Sequence, residues 1–98
     1  MRIRLLQLGI DSKGLFMGLD MAREMGLFDA SSYHCVWEGE VPDQFTLDNI
    51  YAEFNDKHHD GYKGHSLSVS DIIEVIGGSD LYKDGSRFYV DNIGFQEV

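Results

Sequence analysis

Leu47, Ile50, Tyr51 and Phe54 stand at i, i+3, i+4 and i+7, so a helix in this segment carries one apolar stripe that must be covered. A one-sided helix of this length is not stable alone and needs a second layer to bury its stripe. The flanking segments supply it, because their apolar period is two. Upstream, Tyr33 to Glu40 alternates, with Tyr33, Cys35 and Trp37 expected on one face and His34, Val36 and Glu38 on the other. Downstream, Leu67 and Val69 alternate with Ser66, Ser68 and Ser70, and Ile72, Ile73, Val75 and Ile76 carry the chain to Gly77-Gly78. One-sided helices beside half-buried strands define an α+β fold.

The remaining elements follow from the same two periods. Arg2 to Leu8 alternates except at Leu6, which predicts a first strand with Ile3 and Leu5 facing the core and a bulge that shifts Leu6 or Leu8. Phe16, Leu19, Met21 and Met25 predict a short first helix, weakened by Gly18 and ended by Gly26. Pro42 and Asp43 break the second strand, and Thr46 is placed to cap the second helix. Asn55 to His65 reads as a polar connecting loop, and Ser70-Asp71 as a tight turn at a strand entrance. Arg87 to Asn92 is the last strand, antiparallel to the one before it, with Phe95 to Val98 as an extended tail. The expected order is strand-helix-strand-helix-strand-strand in one domain, 1–98, with both helices packed on a mainly antiparallel sheet. Trp37, Phe54, Val69, Ile72, Val90 and Phe95 are expected in the core, and Cys35 beside Trp37 is expected there too.

Charge narrows the choice of partner. With 17 acidic against 8 basic residues the chain carries a formal −9, which argues against direct binding to nucleic acid and for a basic protein partner. From Glu24 to Asp56 no lysine or arginine interrupts eight acidic residues, so this span holds −8 of the total. The candidate partner-binding residues are Asp20, Glu24, Glu38, Glu40, Asp43, Asp48, Glu53 and Asp56. Asp20 and Glu24, one helical turn apart, place carboxylates roughly 6 Å from each other, near the spacing of phosphates along a nucleic acid strand. The lone cysteine excludes an intrachain disulfide, no apolar run is long enough for a signal peptide or a membrane span, and a reducing bacterial cytoplasm is the expected setting.

Several patterns invite an enzyme and fail its requirements. Ser66, Ser68 and Ser70 precede a strand, not a helix, and no G-x-S-x-G elbow is present. His58, His59, Asp60 and His65 match no standard zinc spacing, so no metal is expected. His34 and Cys35 are strand neighbours that point to opposite faces. Glu38 and Glu40 have no histidine or lysine beside them, and none of the 11 glycines forms a phosphate-binding loop. No catalytic residue and no cofactor are expected.

The segments YAEFN, GHSLSVSDIIEV and FYVDNIGFQEV together resemble the YodL-like domain family, closely from Leu47 to Val98. The amino-terminal GLDMAREMGL and YHCVWEGE are similar to its more variable leading region. The matching positions are Gly64, Ser66 to Asp71, Tyr89 to Asp91, Gly94 and Phe95. The resemblance implies a mobile-element protein and brings no catalytic residues with it. The function expected is that of a non-enzymatic inhibitor of a host nucleic-acid-processing defence protein, of anti-CRISPR or anti-restriction type, which presents an acidic surface to a CRISPR effector nuclease or restriction enzyme. The alternative is a regulatory or scaffolding module of conjugation or replication whose acidity is incidental.

Overall fold

Ile3 and Leu5, both fully buried, seat the first strand at the middle of a computed structural model that describes residues 1–57 and 59–98. His58, one of the histidines weighed for metal binding, lies outside the described residues. The elements run β1 (Arg2–Gln7), α1 (Leu19–Glu24), a 3-10 turn (Ala30–Ser32), β2 (His34–Glu40), α2 (Leu47–Asp56), β3 (Ile72–Gly77), β4 (Arg87–Val90) and β5 (Phe95–Glu97). The strands form one sheet in the order β2-β1-β3-β4-β5, and every neighbouring pair is antiparallel. The fold is α+β, as its periods indicate. The tail expected after Gly94 is a fifth strand, turned back on β4 through Gly94 at φ +71°.

The two helices belong to separate apolar clusters. Leu47, Ile50 and Phe54 of α2 meet Ile3, Leu5, Val36, Ile73, Val75 and Val90 on one face. Leu19 of α1 joins Leu6, Ile72 and Tyr89 on the other. Burying an aliphatic or phenyl side chain completely contributes roughly 1.5–3 kcal/mol, so the three buried residues of α2 account for most of its attachment. Its start is set locally by a capping box in which Thr46 Oγ1 accepts from Asn49 N at 3.1 Å and Asn49 Oδ1 accepts from Thr46 N at 3.0 Å.

Four expectations are corrected by the backbone. β2 holds a bulge, because Leu5 pairs with Trp37 and Leu6 with Cys35, leaving Val36 as the extra residue. Val36 therefore turns into the core and Cys35 is exposed, the reverse of strict alternation. The first helix spans only Leu19–Glu24, since Phe16 adopts φ +63° and Gly18 stands at the N-cap. Its buried residues are Leu19 and Ala22, while Phe16, Met21 and Met25 are exposed. Gly26 ends it as expected, with Leu27 N donating to Ala22 O and Gly26 N to Arg23 O. The last strand stops at Val90 rather than Asn92. Of the expected core, Phe54, Ile72 and Val90 are buried, Trp37 and Phe95 are half-buried against it, and Val69 is half-buried at the edge of a surface cleft.

Candidate functional site

The eight acidic candidates separate into two groups by what they touch. Arg2 and Arg4 project from β1 toward the neighbouring strands, and Glu38 on β2 receives Nε of both at 2.8 Å. Those bonds, Arg4 first, hold the Glu38 carboxyl below its ordinary range. Arg2 also lies 3.6 Å from Glu40, and Arg4 reaches Glu74, which Arg87 approaches from the far side. Asp43 pairs with the Met1 ammonium, and Glu53 meets Lys57 and His59. Asp20 and Glu24 on α1, and Asp48 and Asp56 on α2, form no ion pair among the described residues.

Asp48 and Asp91 line one cleft of about 190 Å³ with Tyr51, Val69, Asn92, Gly94 and Phe95. Asp91 Oδ1 accepts from Leu19 N at 3.2 Å, so it anchors the start of α1 one residue before Asp20. Carboxylates from α2 and the β4–β5 turn thus line one cleft, and the second of them also holds the start of α1. Tyr51 and Phe95 add an edge-on ring pair with centroids 6.3 Å apart.

The serine row does not assemble a nucleophile. Ser68 Oγ donates to Ser66 O at 2.7 Å, and buried Ser70 uses its Oγ to accept from Phe16 N at 2.9 Å. No serine hydroxyl meets an imidazole among the described residues. The turn instead closes through Asp71, whose Oδ2 accepts from Ser68 N at 2.7 Å while Asp71 N donates to Ser68 O. Asp71 is fully buried. Gln7, equally buried at the end of β1, donates from Nε2 to Asp71 Oδ2 at 3.0 Å and to His65 O at 2.8 Å. Burial pushes the Asp71 carboxyl up to about 7 against these two donors. Tyr33 OH closes the far side on Ser70 O at 2.5 Å.

A family model of the YodL-like domain matches residues 1–98, the whole chain. The chain belongs to the YodL-like domain family. Among curated proteins and among solved structures, none matches it. In this YodL-like domain the positions that carry the resemblance have two structural destinations. Gly64 and the segment from Ser66 to Asp71 build the turn around the buried carboxylate, and a Cβ at Gly64 would stand 2.1 Å from Gln7 Oε1. Val90, Asp91, Gly94 and Phe95 line the cleft.

Sequence reasoning named neither Gln7 nor Asp91 as a site residue. Gln7 occupies a polar phase of β1 and gives no local sign of burial. Asp91 was legible only as part of the last strand and of the resemblance, because its partner Leu19 lies 72 positions away. The described residues hold no group of three or more His, Cys, Asp or Glu suited to a metal ion. His59 is engaged with Glu53, at 3.0 Å, and stacks on Phe54. No helix among the described residues is long and apolar enough to cross a membrane.

Proposed function

We propose that this YodL-like domain is a non-enzymatic binding protein of a mobile element that docks on a basic surface of a host defence protein, a CRISPR effector nuclease or a restriction enzyme, in the bacterial cytoplasm. One observation supports this reading above the rest: Asp20, Glu24, Asp48 and Asp56 hold no counter-ion among the described residues, whereas Glu38, Glu40, Asp43 and Glu53 already do. A carboxylate with no internal partner meets an arginine without first breaking a bond, and the net −9 steers the encounter from a distance. The docking residues are on this reading fewer than the acidic span supplies, two on α1 and two on α2, with Asp48 at the cleft beside Asp91.

The test is association with a purified effector nuclease lacking its guide, measured at low and high salt. Binding should weaken steeply with salt, because exposed charges are screened over about 8 Å at physiological ionic strength. Replacing Asp20, Glu24, Asp48 and Asp56 together by lysine should slow association, while Glu40→Lys should change it much less. Binding indifferent to both salt and the fourfold reversal would refute the charge-based reading. It would favour the second one, a regulatory or scaffolding module of conjugation or replication. That reading is supported by the exposed apolar side chains of Ile10, Phe16, Met21 and Met25.

A further inference from the structure

Asp48 stands in the first turn of α2 and Asp91 in the turn that follows β4, and they line one cleft with Tyr51, Val69, Val90 and Phe95. None of the residues lining that cleft is basic. Asp48 is exposed and makes no hydrogen bond or ion pair among the described residues. Asp91 is half-buried, and its contacts fall on one oxygen: Oδ1 accepts from Leu19 N at 3.2 Å and from Asn92 N at 2.8 Å. Its Oδ2 has no hydrogen bond among the described residues and stays open to a donor. Carboxylates with open lone pairs repel an anion, and a neutral apolar occupant would strip their water and return no partner. A cation satisfies both.

The aromatic walls select among cations. Tyr51 and Phe95, both half-buried against the core, set their rings 6.3 Å apart at 70°. An edge-to-face pair leaves a ring face uncovered by its partner. An ammonium is a compact and strongly hydrated point charge, whereas a guanidinium is planar, holds water more weakly, stacks on an aromatic face and directs a fork of N–H donors outward in its own plane. One guanidinium can therefore lie against a ring while its edge donates to carboxylates. The cleft measures about 190 Å³, below the roughly 300–1,000 Å³ of sites that enclose drug-sized ligands, which suits a single side chain. We propose that this cleft receives one arginine side chain of the basic partner, with its guanidinium against the Tyr51–Phe95 pair and its N–H donors on Asp48 and Asp91. The inference rests on the docking reading for its partner, and turns a diffuse attraction into a keyed contact.

The cleft is built before anything enters it. Asp91 N donates to Gly94 O at 3.0 Å, and Gly94 at φ +71° turns the chain so that Phe95 pairs with Val90 on β4. Val90 is buried, with its N donating to Asp71 O at 2.8 Å and its O accepting from Ser70 N at 2.9 Å, so the floor is fixed by backbone. Tyr51 is carried by a helix whose Ile50 and Phe54 are buried. The ordering cost of binding is therefore chiefly the arginine's own. The carboxylates differ in what else they hold. Asp91 also anchors the start of α1, whereas Asp48 touches no other charged or polar group among the described residues and can be neutralised without disturbing the fold.

The experiment is proton–nitrogen NMR of the whole protein titrated with N-acetyl-arginine amide and, separately, with N-acetyl-lysine amide at matched ionic strength. Arginine should shift the amides of Asp91, Asn92, Gly94 and Phe95 along a saturating curve, binding about two- to fivefold more tightly than lysine. Asp48→Asn should weaken arginine binding about two- to fivefold, and Tyr51→Leu, which keeps the apolar stripe of α2, should remove the preference for arginine over lysine. Shifts that rise without saturation, or that spread alike over Asp20, Glu24, Glu40 and Asp56, overturn the cleft as the site. Equal affinity for lysine, or arginine affinity unchanged in Asp48→Asn, overturns the proposed contact. Should Tyr51→Leu fail to fold, the comparison of arginine with lysine in the unmodified protein and the Asp48→Asn variant decide. No effector takes part in this titration, so its failure leaves salt-dependent docking to its own test, and a nuclease that does not bind leaves the preference of the cleft readable.

Discussion

The two faces of the sheet are built on opposite plans. The face under α2 is closed by apolar contact, with Ile3, Leu5, Ile50, Phe54, Ile73 and Val75 all buried. The other face is apolar only where α1 and its flanking loops lie, over Leu6, Ile72 and Tyr89. Beyond them it becomes an open lattice of Arg2, Arg4, Glu38, Glu74 and Arg87. One face holds the fold together through area removed from water, whereas the other links β1, β2, β3 and β4 by largely exposed charge pairs that contribute little net energy. Stability is thus concentrated on the face that α2 covers.

That contrast can be broken most directly at Phe54. Its ring touches Trp37, His59 and Tyr62, and Phe54→Ala should cost about 3–5 kcal/mol, read as a fall in the denaturant midpoint at unchanged slope. An unaltered midpoint would mean that the α2 face is not the stabilising one. A smaller effect is expected at Gly64, where a new Cβ would meet Gln7 Oε1 at 2.1 Å and Val36 Cγ1 at 2.8 Å. Because Gln7 is held by its donors to His65 and Asp71, Gly64→Ala should destabilise by about 1–3 kcal/mol through overpacking; a neutral result in chemical denaturation would show the polar corner to be loosely built. The smallest change should come from Arg4→Ala on the charged face, where calorimetry should find the melting temperature moved by a small fraction of the Phe54 shift. High salt should erase even that difference. A loss comparable to Phe54→Ala would instead make the lattice a true second core.

What could be read from the sequence follows the range of the forces involved. α2 was legible because its stripe and its Thr46 cap are both written within ten consecutive residues. The irregularity near Leu6 was legible from one apolar residue out of phase, yet the extra residue of the bulge lies across the ladder at Val36. That single insertion exchanged the fates of Val36 and Cys35. Phe16 and Met21 matched a helical period that the backbone does not follow, since the chain turns at Phe16 and the helix begins only after Gly18. Charges could be counted but not paired, because Arg2 and Arg4 reach Glu38 from 36 and 34 positions away. The burial of Gln7 and Asp71 left no local trace, for polar residues beside a turn look the same whether water or a third segment covers them.

The crossover through α2 has a consequence for the route by which this chain folds. β2 and β3 both flank β1, so the connection passes over a strand that was made first and is paired last on its inner side. Leu5 must find Trp37 across 32 positions and Ile73 across 68 before either ladder is complete. Closing such loops costs entropy ahead of any reward, which puts folding in the slower regime typical of non-local pairing. Neither half of the molecule contains a finished sheet, since the first lacks β3 and the second lacks the strand on which β3 is zipped. The β1–β2 ladder is available once about Glu40 has been made, but a ribosome must release most of the polypeptide before β3 can zip onto the inner side of β1.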